Sequence, residues 1–435
     1  MLILYTILFP LLVLLYLPFY AVHCIRRGGL TKDFWERFGI FPAETKARLK
    51  ALKAPIWIHA VSVGEAIEAL SFIQAWRARD PEVEIVFSCG TATGFATATK
   101  KLPPDVVAIY CPLDIWWMVW HTLNLVRPRL LAILEVEIWP QLILQSHRRG
   151  VPVVLVNGRL SDKSSAGYAR WGFVFRKIFR AFSALCMQTP EDQARLERVI
   201  GPDERIHTVG TVKFDQVPDR TGADVATPLA EAFGAGAHPL FCVGSTHEGE
   251  EEVICDAFLG LREAHPEWRM VLVPRHVERA AAVIKILASR RLAWRSVQPV
   301  ESMLPADVGT ADVLLVNTTG QLMNYYQASD ICFVGKSLDG QNGGHNIIEP
   351  AIFGKAIIYG PHMENFRQVH EIFQAENSAL AFASNAELLP TLLRLAENDV
   401  LRNELGAHAR GTVEKHRGAI AQTLDIIERI QGTRK

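Results

Sequence analysis

Beyond residue 55 the sequence settles into one recurring device. A short, unbroken apolar run is followed by a longer stretch with apolar residues at helical spacing. The runs of the first half are "PIWIHAV", "VEIVFSC", "VVAIYCP", "RLLAILEVE", "VPVVLVN", "ALCMQT" and "RIHTVGT", separated by stretches such as "ATGFATATKKL" and "EDQARLERVI". Strands apolar at consecutive positions are buried on both faces, and the helices between them supply the cover. The pattern therefore predicts an α/β fold with a parallel, doubly covered sheet. Around residues 214–238 the texture turns rich in Pro, Gly, Ala and Asp ("FDQVPDRTGADVATPLAEAFGAGAHP"), which marks a domain boundary. A second set follows: "PLFCVGS", "RMVLVPR", "DVLLVNT", "ICFVG", "AIIYG" and "LAFA". A chain of 435 residues is long for a single core, so two Rossmann-like domains are expected, with the carboxyl ends of their strands facing a cleft. The expected division is 1–25 as an N-terminal anchor, 26–215 as the first Rossmann-like domain, 216–238 as linker and 239–435 as the second.

The anchor rests on "MLILYTILFPLLVLLYLPFYAV", which carries no charge; the first cations, Arg26 and Arg27, follow it. About 25 residues of helix reach roughly 37 Å, enough to cross a ~30 Å hydrocarbon core. A cleaved signal peptide would carry a basic start and a small-residue cleavage site, and neither stands here. Cations placed behind the apolar run, with Lys32 and Arg37 beyond, put the main body on the cytoplasmic side. Acidic and basic residues balance at 46 each, which argues against a nucleic-acid footprint. The seven cysteines (Cys24, Cys89, Cys111, Cys186, Cys242, Cys255 and Cys332) are scattered, with no C-x-x-C pair. They read as buried apolar residues of a reducing compartment rather than a disulfide framework or zinc site.

Several strand exits carry chemistry. In "HAVSVGE" (59–65) Gly64 allows a tight turn and Glu65 falls on the first helical turn, where it serves either as a dipole-favoured cap or as a base facing the ligand crevice. "LEVEIWP" (134–140) offers Glu135 and Glu137, which alternation along a strand would put on one face; like charges that close raise one pKa unless a cation intervenes. Lys213 in "TVKFD" is a candidate cation, and Arg159 and Lys163 in "NGRLSDKS" are further anion contacts or solvated loop residues. In the second half, "VGSTHEGEEEV" reads as a Ser/Thr cap with acidic first-turn residues. "VPRHVER" ends a strand at Pro274 and presents Arg275 and His276, suited to a phosphate or carboxylate. "GKSLDGQNGGHNIIEP" (335–350) brings glycines and Asn346 to an expected helix start, an anion site, with Glu349 either at N3 of a capping box or holding ribose hydroxyls. It is neither a Walker loop nor a GxGxxG turn. "RWGFVFRKIFRAF" (170–182) is basic and aromatic, either an amphipathic core helix or a membrane-surface segment.

Taken in order, the uncharged N-terminus, "HAVSVGE", "LEVEIWP", "NGRLSDKS", "VGTVKFD", "GSTHEGEE", "VPRH" and "GGHNIIEP" resemble the 3-deoxy-D-manno-oct-2-ulosonic acid (Kdo) transferases of lipopolysaccharide assembly. The resemblance spans nearly the whole chain. It implies a GT-B glycosyltransferase fold with an acceptor-binding first domain and a donor-binding second domain. It also implies CMP-Kdo as donor and a lipid A precursor (lipid IVA) as acceptor. Glu65 would be the general base, and Glu137 and Lys213 would stabilise the transition state. Donor contacts would come from Pro274 and Arg275, from Gly320, Gln321 and Leu322, and from Asn346, Ile347, Ile348 and Glu349. Two departures stand out: Gln321 replaces an expected acidic residue, and Val136 replaces the family's Thr or Ser.

The chemistry of the residues agrees with that resemblance. CMP is a leaving group of low basicity, so its departure calls for charge neutralisation, here by Arg275 and the backbone at Asn346, rather than a strong acid. No Asp-x-Asp pair stands at a strand end, so no metal or other cofactor is expected. One displacement by a base-activated hydroxyl inverts the anomeric carbon. The expected partners are CMP-Kdo, lipid A precursor and the inner leaflet of a bacterial inner membrane, reached through the N-terminal helix and residues 170–182, with the catalytic domains on the cytoplasmic face and no nucleic acid. The rival readings are a membrane-associated GT-B enzyme using a UDP-sugar and a nucleotide- or lipid-binding module without turnover.

Overall fold

The computed structural model describes residues 4–15, 34–217, 225–234, 237–298 and 310–432. The chain forms two compact units, residues 1–216 with 417–435 and residues 217–416.

The first unit holds seven strands: β1 (Ile56–Ala60), β2 (Ile85–Cys89), β3 (Val107–Tyr110), β4 (Leu130–Leu134), β5 (Val153–Gly158), β6 (Ala184–Met187) and β7 (Ile206–Thr208). Their order is β3-β2-β1-β4-β5-β6-β7. Every pairing is parallel, with Ile56 against both Ile85 and Leu130. Alternate residues go to opposite faces. Trp57, Val86, Leu131, Ile133 and Leu155 join one core, and Ile56, Ile58, Phe87, Leu130, Ala132 and Val154 the other. That two-sided burial is why the runs are apolar without alternation, and each Val, Leu or Ile so buried contributes roughly 1.5–3 kcal/mol.

The second unit repeats the plan with β8 (Leu240–Thr246), β9 (Arg269–Pro274), β10 (Trp294–Ser296), β11 (Val313–Leu315), β12 (Ile331–Val334), β13 (Ala356–Tyr359) and β14 (Leu380–Ala381). The order is β10-β11-β9-β8-β12-β13-β14, again parallel throughout. β10 has no counterpart among the strands expected from sequence. It is a short edge strand of Trp294, Arg295 and Ser296, too polar to stand out as a run.

Two boundaries differ from expectation. The helix Ala419–Gly432, assigned by sequence to the second domain, packs on the first: Ala419, Ile420, Leu424 and Ile427 enter a face of the first sheet. The Asp215 carboxylate accepts from Gly418 N (2.7 Å) and Ile420 N (2.8 Å), capping the helix, and Arg79 pairs with Asp425 at 2.6 Å. Within the expected linker, Ala226–Phe233 is a helix of the second unit, where Ala232 O accepts from Ala311 N at 2.8 Å. Residues 218–224 and 235–236 of that linker lie outside the described residues.

Residues 4–15 form a helix seated on the first unit. Tyr5 Oη donates to Asp114 Oδ2 (2.8 Å), and Gln141 Nε2 donates to Thr6 Oγ1 (2.8 Å). Leu4, Ile7, Leu8, Leu11, Leu12, Leu14 and Leu15 remain exposed. Among the described residues no helix is long and apolar enough to cross a membrane; residues 1–3 and 16–25 of the expected anchor lie outside them. The 170–182 segment is not one helix. It breaks at Trp171 between Asp162–Arg170 and Gly172–Phe179, leaving Trp171 and Phe173 exposed while Phe179 and Phe182 enter the core.

Candidate active site

In an open parallel sheet the strand order reverses at one place, and the loops leaving the two strands there diverge to opposite faces and open a crevice. In the first unit that place lies between β1 and β4. Glu65 follows β1, and Glu135 and Glu137 follow β4, so the topology alone gathers three carboxylates.

Glu65 is buried and takes the capping role the sequence left open for its position. It completes a capping box: Glu65 N donates to Ser62 Oγ (3.2 Å), while its own oxygens accept from Val61 N (2.7 Å) and Ser62 N (3.2 Å). A carboxylate has about four acceptor positions, so those two bonds leave capacity for a proton. Its charge is felt by its neighbours. Glu137 is pushed up to about 7 by burial and then by Glu65 and Glu135, and Glu135 is also raised, by burial and then Glu65. The alternation argument for Glu135 and Glu137 does not hold. β4 ends at Leu134, and Glu135 turns off the sheet with φ of 52°. The two meet through the turn rather than along a strand face.

Lys213 sits in a single 3-10 turn, Val212–Phe214, capped by Thr211. Burial lowers its pKa, and the charges of Glu68 and Glu135 partly restore it. The expected cation thus lies among the expected carboxylates. Arg159, exposed at the end of β5, lowers the pKa of Glu135; Lys163 is exposed on the next helix. The sequence reading passed over Glu68, one helical turn after Glu65. It is buried, pushed up to about 8 by burial and then Glu135, and it accepts from Asn157 Nδ2 at 2.7 Å. Its spacing from Glu65 was the available signal.

The second unit has its switch between β8 and β12. Backbones crowd there: a Cβ at Gly335 would overlap the Ser245 carbonyl, and one at Gly244 the Tyr326 hydroxyl. The acidic run after β8 is not the Ser/Thr cap expected, since the helix Glu250–Ala264 starts from Gly249 without a side-chain cap. Glu250 instead reaches across the switch and accepts from Lys336 N (2.7 Å), Ser337 N (3.0 Å), Leu338 N (3.2 Å) and His247 N (2.9 Å). The glycine-rich loop is thereby fixed by one buried carboxylate. Pro274 ends β9 and is buried, and Arg275 beyond it is exposed, its N–H donating to Thr246 O (3.0 Å).

The expected helix start at Asn346 is modest. The helix is one turn, Ile348–Ala351, with Ile347 at its N-cap, and Asn346 Oδ1 accepts from Ile348 N (3.1 Å). Ile347 and Ile348 are buried and shape the turn by packing. Glu349 is pushed up to about 7 by burial, opposed by the Asn346 side chain and then Arg275. Asn346, Glu349 and Arg275 therefore stand together. Gly320, with φ of 81°, precedes Gln321, whose Oε1 accepts from Thr318 Oγ1 (3.0 Å) ahead of the helix Leu322–Ala328. A pair of histidines went unremarked: His247 Nε2 and His345 Nε2 lie 2.9 Å apart with rings stacked, and His276 meets His247 edge-on. Burial and then neighbouring charge hold both members of the pair near 4, so both are neutral at pH 7 and one donates to the other. Among the described residues no group of three or more His, Cys, Asp and Glu could hold a metal ion.

Residues 32–216 match the family described as 3-deoxy-D-manno-octulosonic-acid transferase (kdotransferase). A 3-deoxy-D-manno-octulosonic acid transferase of Bordetella pertussis is 32% identical over 424 residues, covering 93% of this chain and 94% of that protein. One from Haemophilus influenzae is 29% identical over 376 residues, covering 86% of each. A glycosyltransferase structure from Rickettsia africae superposes with a TM-score of 0.53 at 13% identity, over 87% of this chain and 99% of that one, a likeness of fold with GT-B glycosyltransferases. By the length and identity of these matches, the chain belongs to the 3-deoxy-D-manno-octulosonic acid transferases, enzymes of the glycosyltransferase class that act in lipopolysaccharide synthesis.

Proposed function

We propose that the chain moves Kdo from CMP-Kdo to a hydroxyl of a lipid A precursor such as lipid IVA, in one displacement with inversion. The acceptor oxygen forms a bond to the anomeric carbon, the bond from that carbon to the CMP phosphate oxygen breaks, and the hydroxyl proton passes to Glu65. CMP leaves with the bonding pair. The observation that carries this reading is the gathering of Glu65, Glu135, Glu137 and Lys213 at the switch of the first sheet. Burial and then the Glu65 charge raise Glu135 and Glu137, and a lysine among these carboxylates limits the cost of the assembled charge. In the second domain Arg275, Asn346 and Glu349 hold the cytidylate, with Pro274 and the segment Gly320–Gln321–Leu322 around it. Arg275 and backbone N–H groups take up the charge on the departing phosphate. This scheme uses no divalent cation, and transfer at an unchanged rate in EDTA is its expected outcome.

A second assignment of the base is favoured by one feature. Each Glu65 oxygen already accepts one capping-box hydrogen bond, while Glu137 is half-buried, makes no such bonds and is pushed up to about 7. The test is mass analysis of lipid IVA after incubation with CMP-Kdo and the purified chain, with Glu65→Gln and Glu137→Gln compared. Loss of transfer in Glu65→Gln with CMP binding retained supports Glu65. Near-parent transfer there, with loss in Glu137→Gln, moves the role to Glu137. The same experiment with UDP-sugars checks the donor, and the mass gained gives the number of Kdo residues added.

The acceptor is a lipid, and the first domain offers a surface to match. The helix 4–15 exposes its leucines, the helix Trp116–Val126 exposes Trp116, Trp117 and Trp120, and Trp171 and Phe173 are exposed at the helix break after Arg170. Indole rings of this kind settle at the headgroup level of a bilayer. We place this face on the inner leaflet of the inner membrane, with the catalytic domains on the cytoplasmic side.

A further inference from the structure

The Kdo-transfer reading uses Lys213 but leaves open what holds it. Its turn is one 3-10 turn, and such a short element does not fix its own orientation. Beside the Thr211 cap and the Arg417 Nε bond to Phe214 O (3.2 Å), part of the fixing comes from Asn157, fully buried at the end of β5, two residues before Arg159. Asn157 has φ of 57°, a left-handed conformation that Asn and Gly adopt most readily. Three bonds lock it. Val212 N donates to Asn157 Oδ1 (3.2 Å), Asn157 Nδ2 donates to Glu68 Oε2 (2.7 Å), and Gln188 Nε2 donates to the Asn157 carbonyl (2.9 Å). The amide orientation is forced: Val212 N–H can meet only the oxygen, so the nitrogen faces Glu68. The residue next to Lys213 is thus tied through one amide to the helix that carries Glu65. A polar pair this deep is costly unless every group is satisfied, and a turn alone requires only glycine.

We propose that Asn157 and Glu68 form a positioning pair that fixes the Lys213 turn against the Glu65, Glu135 and Glu137 cluster, so that the Lys213 cation compensates that cluster while a proton moves through it. The proposal rests on the Kdo-transfer reading of this site. Neither residue touches substrate; each acts through Lys213.

Asn157→Gly tests it, since glycine keeps the left-handed turn and removes only the side-chain bonds. Full-length parent and variant are acetylated with acetic anhydride, and the Lys213 peptide is quantified by mass spectrometry against exposed Lys100 and Lys101. Kdo transfer is measured on the same preparations. Asn157→Gly is expected to raise Lys213 acetylation several-fold over the reference lysines. It is expected to lower kcat by about 10- to 100-fold, the scale of a misplacement near 1 Å, with KM for both substrates within about threefold. Glu68→Ala should behave likewise, and Glu68→Gln, which keeps an oxygen for the Asn157 amide, should recover most of that loss. Unchanged Lys213 acetylation, a rise shared equally by Lys100 and Lys101, or an unchanged kcat each overturns the proposal. Absence of transfer by the parent sinks the functional reading instead, and the acetylation result still decides whether Asn157 fixes Lys213.

Discussion

Replacing Glu68 by glutamine should make the protein more stable than its parent, increasingly so as pH rises. Glu68 is 5% exposed, and its pKa moves from the ordinary 4.5 to about 8, burial being the chief cause and the Glu135 charge the next. Between those two values the folded chain holds a proton that the unfolded chain has released. Stability contributed by the protonated form is therefore complete below about pH 4.5 and drains away as pH climbs toward 8, at about 1.4 kcal/mol per pH unit. Glutamine is isosteric, stays neutral and still accepts from Asn157 Nδ2. From pH 5.5 to 7.5 the parent should thus lose about 2 to 3 kcal/mol relative to the variant. In a domain of this size that is a relative melting shift of roughly 5 to 10 °C. Urea unfolding of both proteins at the two pH values isolates the effect, because other groups titrate equally in each. A stability gap that is the same at pH 5.5 and 7.5, or that narrows with rising pH, would refute a protonated Glu68.

Other outcomes follow from the second domain and from the exposed aromatic residues of the first. Arg275→Ala should weaken CMP binding by about 10- to 100-fold, the scale of a charge-assisted bond; Arg275→Lys should recover only part, lacking the planar fork, and calorimetry decides. The His247–His345 pair is held neutral, so the unfolded chain binds more protons between pH 4 and 6.5 and stability falls as pH drops through that window. His345→Gln should therefore flatten the acid loss, read from urea midpoints at pH 7 and 5. Joint replacement of Trp116, Trp117 and Trp120 by serine should lower sedimentation with anionic vesicles while leaving the melting temperature near the parent's; equal sedimentation would remove that face from the membrane.

What the sequence made legible is what local chemistry determines. The strand runs could be read because two-sided burial demands apolar residues at every position, and the site emerged because ligand chemistry stands where such runs stop. The edge strand Trp294–Ser296 escaped because an edge does not impose that demand. The helix Ala419–Gly432 shows its apolar stripe plainly, but a stripe says only that the helix is covered. Asp215 capping Gly418 and Ile420 from 203 and 205 residues away decides which sheet covers it. The same distinction runs through the site. Glu65 was legible as a cap because Ser62 lies within its own turn, and as a candidate base from its place after β1. Glu137 was found for an incomplete reason, since the left-handed backbone at Glu135 replaces the alternation that pointed to it. Asn157 with Glu68, His247 with His345, and Glu250 with the Lys336–Leu338 amides each join segments 86 or more residues apart, and no periodicity records such a pairing. These are the contacts that tie the strand-exit loops together within each unit. The sequence thus reveals the candidate carboxylates and cations through their place at strand ends, while the means of positioning them becomes visible only once each sheet has formed and gathered the loops at its own switch point.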